Sequence, residues 1–155
     1  VTLIIAVDPG KKTGWASYDT TVNAFASQEA PGDEFIDRVV PWLGPAHAHD
    51  RAAAGSVRIV VERFVITAGT MRTSRGDENW SIEQIGILRH HARWAGVAFE
   101  LQSAGDAKKF SPDDRLRTIG WYTPGRGHAN DAARHALLNV ARHHHDVLVR
   151  LLRSQ

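Results

Sequence analysis

The sequence predicts an α/β fold: a mixed five-stranded sheet flanked by helices, with three antiparallel N-terminal strands and two further parallel strands. Three observations predict it. Thr2 to Val7 is an unbroken apolar and β-branched run, the mark of a strand covered on both faces. Val57 to Val61 and Val97 to Leu101, each mostly apolar, read as two more buried strands, and each lies between stretches of helical periodicity. Right-handed crossovers through those helices set both strands parallel to the first.

The elements follow in chain order. Asp8-Pro9-Gly10 ends the first strand abruptly. Gly14 to Tyr18 and Val22 to Ala26 are short strands joined by a turn at Asp19-Thr20-Thr21. Pro31-Gly32 breaks the chain, and Asp33 caps a helix carrying Phe35, Ile36, Val39, Val40 and Leu43. Gly44 to Gly55 is a loop rich in Ala, His and Pro. Thr67 to Asn79 is polar, contains Gly69 and Gly76, and reads as an exposed loop. Ser81-Ile82-Glu83-Gln84 has the form of a capping box and opens a helix that ends near Gly96. Ser111-Pro112-Asp113-Asp114 opens a short helix to Gly120, and His128 to Leu152 reads as one long helix. There is no internal repeat or linker, so residues 1–155 are expected to form a single domain.

Composition narrows the function classes. The chain has no cysteine, which excludes disulfides and thiolate metal sites and fits a cytoplasmic protein. Leu3 to Val7 is too short for a membrane span or a signal segment, so no membrane partner is expected. Net charge is only +2, but Lys and Arg gather at Lys11-Lys12, Arg72 to Arg75, Lys108-Lys109 and Arg115 to Arg126. That clustering points to a polyanionic partner more than the total does. Gly10-Lys11-Lys12-Thr13-Gly14 lacks the spacing of a phosphate loop, so no nucleotide cofactor is expected.

Three carboxylates stand out by position. Asp8 follows the first buried strand, Glu62 follows the second, and Asp131 lies in the first turn of the last helix. Ligands of an open α/β sheet collect beyond the carboxyl ends of parallel strands, where Asp8 and Glu62 both project. His128 precedes Asp131 by three residues and shares its helical face. Two Asp, one Glu and one His make an oxygen-rich set that suits Mg²⁺ or Mn²⁺. Each residue also has a plainer reading: a turn former for Asp8, a surface ion pair for Glu62, a first-turn dipole residue for Asp131, a helix-start residue for His128. His135, one turn beyond Asp131, reads as a supporting or packing residue, and the run His143 to His145 as solvated helix surface.

At these residues the chain resembles the RuvC-type Holliday junction resolvases of the ribonuclease H-like superfamily. Asp8-Pro9-Gly10-Lys11-Lys12-Thr13-Gly14-Trp15-Ala16 is similar to their opening motif, Asp-Pro-Gly followed by a spacer, Thr-Gly and an aromatic. Val60-Val61-Glu62-Arg63-Phe64 resembles their second motif, and His128-Ala129-Asn130-Asp131-Ala132 their last. Gln84 and Gly86 fit the family's middle helix, and Lys108 fits a lysine after its last strand. Two departures stand beside these matches. Ser111 to Arg126 replaces a Gly-rich, Lys-containing stretch, and Phe64 lies one residue closer to Glu62 than the usual aromatic. The compactness suits a bacteriophage member.

The resemblance implies a ribonuclease H-like nuclease domain that resolves four-way junctions by paired phosphodiester hydrolysis, leaving 5′-phosphate and 3′-hydroxyl ends. It implies two Mg²⁺ ions per site, with Mn²⁺ substituting, held by Asp8, Glu62, His128 and Asp131. Lys11, Lys12, Arg72, Arg75, Lys108, Lys109, Arg115, Arg117 and Arg126 are the expected phosphate contacts, and Phe64 is expected either to stack on an unpaired base or to pack in the core. Paired cuts imply a homodimer, for which the helix from Ser81 to Gly96 is the candidate face. Two other readings stand beside this one: a nuclease of the same fold acting on flaps, forks or RNA–DNA hybrids, and a DNA-binding module without catalysis.

Overall fold

The computed structural model describes residues 2–39, 56–65 and 77–153. Five strands form one sheet in the order β3-β2-β1-β4-β5. They are β1 (Thr2–Asp8), β2 (Lys12–Asp19), β3 (Ala24–Pro31), β4 (Ser56–Glu62) and β5 (Ala98–Gln102). β1 pairs antiparallel with β2, and β2 with β3; β4 lies parallel to both β1 and β5. The helices are α1 (Gly32–Val39), α2 (Asp77–Ala95), α3 (Ala104–Phe110), α4 (Asp113–Thr118), α5 (Gly127–His143) and α6 (His145–Arg153). Among the described residues no helix is long and apolar enough to cross a membrane.

The apolar run of β1 is covered on both faces, as its composition requires. Ile4 and Ala6 face a core completed by Tyr18, Val60, Leu116, Trp121 and the inner face of α5. Ile5 and Val7 face a second core with Phe35, Ile59, Leu88 and Ala92. In the first core α5 presents Ala132, Ala133 and Ala136 to the sheet, and these small side chains let the helix lie close to it. Trp121 stacks on Phe25 with ring centroids 4.2 Å apart and planes 5° apart.

Several element bounds differ from the expected ones, each for a local reason. β3 begins at Ala24, two residues late, because the Asp19 carboxylate accepts from the amides of Thr21 and Val22 and holds them in the turn. It then runs on to Pro31, whose missing N–H is tolerated on an edge strand. α2 starts at Asp77, so Ser81 lies inside the helix instead of capping it. Ala104–Phe110 is a helix that the expected elements lack; Ser103 caps it by accepting from the Asp106 amide. Pro112 is the cap of α4 and not its first helical residue. The long C-terminal helix divides at His144, where the backbone leaves helical geometry at φ −140° and ψ 61°. The His143 to His145 run therefore spans a helix junction, and His143 Nε2 reaches Glu100 Oε2 at 3.1 Å. The Gly44 to Gly55 loop and most of the Thr67 to Asn79 loop lie outside the described residues, as do Arg72 and Arg75.

Candidate active site

Strand register sets the first carboxylates side by side. Val7 is level with Val61 in the parallel β1–β4 pair, so Asp8 and Glu62 follow at the same sheet edge. Asp8 is opposite Gly14 on one side, and Glu62 is opposite Gln102 on the other. A row Gly14–Asp8–Glu62–Gln102 thus crosses the carboxyl end of the parallel strands. α5 runs over this row. His128 Nδ1 lies 2.8 Å from Asp8 Oδ2, and seven residues further along His135 Nε2 lies 2.9 Å from Glu62 Oε2. The other ring nitrogen of His135 is 3.0 Å from Gln102 Oε1.

The helix can approach this closely because of Gly14. A Cβ on Gly14 would fall against the His128 carbonyl and 2.7 Å from the Ala129 amide nitrogen. Both are backbone atoms that cannot rotate away. Gly14→Ala is therefore expected to cost roughly 1–3 kcal/mol of stability. It should also lower any cleavage activity on the order of 100-fold by pushing His128 and Asp131 off the sheet. Chemical denaturation and cleavage rates measured on the same preparation check this; unchanged activity would mean that the approach of α5 does not set the site.

The start of α5 is held from two sides. Glu29 on β3 accepts from the Ala129 amide at 3.4 Å and pairs with Lys12. Burial works against its ionisation, but the hydrogen bonds from Lys12 and Ala129 prevail and keep this carboxyl below its ordinary range. Asn130 closes the preceding turn, accepting from Thr123 N at 2.8 Å and donating to Thr123 O at 2.9 Å.

The loop after Asp8 is clamped by α2. Gln84 accepts from Gly10 N and donates to Gly10 O, each at 3.1 Å. The buried Thr13 hydroxyl lies 2.8 Å from Gly10 O and 3.0 Å from Gln84 Oε1, and Ser81 donates to Pro9 O at 2.9 Å. The Ser81 and Gln84 side chains thus serve a tertiary contact that orients Asp8.

Asp8 is 8% exposed, and its carboxyl is pushed up to about 6. Burial is the largest cause, followed by repulsion from Glu62; the hydrogen bond and charge of His128 act in the opposite direction, and Asp131 adds a smaller upward push. Asp131 itself is held by Arg134, with Nη1 at 2.5 Å from Oδ1, and by Lys108, with Nζ at 3.4 Å from Oδ2.

The four expected ligands thus share one neighbourhood, but each carboxylate leans on its own base. Among the described residues no three carboxylate or imidazole groups form a ready cage for an ion. The donor chemistry nevertheless fits a hard divalent cation. The oxygens come from carboxylates, and the burial and repulsion that disfavour the Asp8 anion are what a cation relieves.

The expected phosphate contacts divide into groups. Lys11, Lys12 and Arg126 line a cleft of about 930 Å³ together with Trp80. Lys108 and Arg126 line a second cleft of about 500 Å³ with Asp131 and Arg134. Arg115 lies over the Phe110 ring at 4.7 Å, and Arg117 over Tyr122 at 4.1 Å while pairing with Asp114 at 3.0 Å, so these two are engaged within the protein. Lys109 is exposed on α3, and Phe64 is half-buried just beyond β4. Residue patterns missed Arg134, Gln102 and Glu29; the seven-residue spacing of His128 and His135, two helical turns, is a signal that could have linked both ends of the row.

No protein-family model and no curated protein matches this sequence. Solved structures do. The chain is similar to Thermus thermophilus RuvC in complex with Holliday junction substrate, with a TM-score of 0.55 and 16% identity, over 92% of this chain and 96% of that one. A second Thermus thermophilus RuvC structure gives 0.50 and 16%, over 90% and 95%. A fowlpox virus Holliday junction resolvase gives 0.41 and 15%, over 90% and 97%. The chain has the ribonuclease H-like fold in its RuvC-type form.

Proposed function

We propose that this protein is a divalent-metal-dependent DNA endonuclease that resolves four-way (Holliday) junctions. The observation that carries this reading is the row at the carboxyl end of β1 and β4. There Asp8 and Glu62 lie side by side under the start of α5, which brings His128 and Asp131, on a RuvC-type fold. Asp8, Glu62, His128 and Asp131 would hold Mg²⁺, with Mn²⁺ as a substitute. When bound, the metal supplies a Lewis acid for a phosphoryl oxygen and lowers the pKa of the attacking water. The products of such hydrolysis are 5′-phosphate and 3′-hydroxyl ends.

The protein's own residues supply position. Lys11, Lys12 and Arg126 in the larger cleft, and Lys108 in the smaller, offer charge to the backbone phosphates without reading bases. Phe64, two residues past the strand that carries Glu62, would stack on a base near the cleavage point. Cleavage of four-way junctions beside duplex, flap, fork and RNA–DNA hybrid controls, with and without Mg²⁺, tests the reading. Paired nicks in the junction alone, and only with Mg²⁺, are expected. Equal cutting of flaps or hybrids would point to another nuclease of this fold, and binding without cutting to a non-catalytic module.

Paired nicks need two sites at a fixed separation, which a two-fold dimer provides. α2 buries Leu88 and Ala92 in the core, yet leaves Trp94 61% and Ile82 47% exposed. Ile87 and His91, half-buried, continue the Trp94 stripe. We therefore expect a mass twice 17.1 kDa in solution. Trp94→Glu should shift it to the monomer and turn paired cuts into single nicks, measured by light scattering and by nicking of a supercoiled cruciform. A wild-type monomer both free and on junction DNA would refute the paired-site arrangement.

A further inference from the structure

The two halves of the site carry different kinds of base. Asp8 and Glu62 lean on imidazoles, His128 and His135. Asp131 leans on Arg134 and Lys108. A guanidinium cannot be deprotonated in a protein, so its charge stays.

Arg134 is not a surface side chain resting on the nearest acid. Its side chain is 11% exposed, its Nε donates to the Ser111 carbonyl at 3.1 Å, and its remaining terminal nitrogen pairs with Asp113. Ser111 closes α3 and Asp113 opens α4, so two acceptors outside α5 hold the fork in place whether or not Asp131 does. The cluster is also balanced. Asp131 and Asp113 bring two negative charges, and Arg134 and Lys108 bring two positive ones. A divalent ion at Asp131 would sit beside a fixed guanidinium with no excess negative charge to hold it.

We propose that in the DNA-free protein Arg134 takes the place of one of the two divalent cations. The free chain then binds a single ion, at Asp8 and Glu62, and Asp131 is kept from metal by its own salt bridge. Junction phosphates would add the negative charge that this balanced cluster lacks. This proposal rests on the metal-dependent reading above.

Calorimetric titration of the DNA-free protein with Mn²⁺ tests it, using wild type, Arg134→Met, Arg134→Gln and Arg134→Lys. The neutral replacements keep either the apolar stem or a donor for Ser111, and circular dichroism reports the fold of each. One ion per chain is expected for wild type and Arg134→Lys, and two for each folded neutral variant. Two ions in wild type would overturn the proposal, as would one ion in the neutral variants. No ion in any protein would remove the metal-dependent reading itself, and the proposal with it.

Discussion

Asn in place of Asp8 is expected to lower junction cleavage on the order of 10³-fold or more, equivalent to about 4 kcal/mol of transition-state stabilisation. Glu62→Gln should act in the same direction, because the two carboxylates lie at one sheet edge and supply the negative charge that a metal needs there. Asp131→Asn should also abolish cleavage. Junction affinity should change little in all three, since the proposed phosphate contacts are Lys and Arg. Cleavage in Mg²⁺ beside gel-shift binding in a chelator separates the two effects. Near-normal activity in any one variant would remove that residue from the site.

The same Asp8→Asn substitution is expected to stabilise the metal-free protein at neutral pH. The Asp8 carboxyl rises from 3.8 to about 6 on folding, so the folded state favours the protonated form. Its favourable contribution is fully present below pH 4 and is lost as pH rises through about 6. Above that, the folded chain pays to keep the carboxylate charged, on the order of 3 kcal/mol at pH 7 to 8. Asn escapes this cost. In chelator at pH 7.5 its Tm should exceed that of wild type by several degrees, and the gap should close near pH 4. Mg²⁺ should narrow the gap from the other side by stabilising wild type alone. A gap that does not depend on pH would mean that ionisation of Asp8 is not its source.

Much of this architecture was legible because the strands are strongly patterned. Thr2 to Val7 and Val57 to Val61 are buried on both faces and leave few alternatives, and a carboxylate directly after each is conspicuous. β3 was legible only in part: Ser27, Gln28 and Glu29 alternate on an edge strand, where polar side chains do not announce a sheet. Ser81 and Gln84 have the spacing of a capping box, but whether such a pair caps its own helix or grips another loop depends on tertiary contact. The break at His144 was hidden because apolar positions continue on both sides of it, with Val140 and Val147 buried in the same core. Arg134 was hidden for a similar reason. An arginine three residues after an aspartate looks like an ordinary helix-surface pair, and only the approach of Ser111 and Asp113 shows it fixed in place.

The site draws its carboxylates from opposite ends of the chain. Asp8 belongs to an N-terminal meander of neighbouring strands, whose contacts close small loops. Glu62 arrives through a parallel pairing that joins residues more than fifty positions apart, and Asp131 only when α5 docks on the finished sheet. Local pairings form early and distant ones late. A partly synthesised chain, or one clipped ahead of Gly127, therefore carries Asp8 and Glu62 without His128, Asp131 or the helix that orients them. Assembly of the four-residue set is thereby tied to completion of the whole fold.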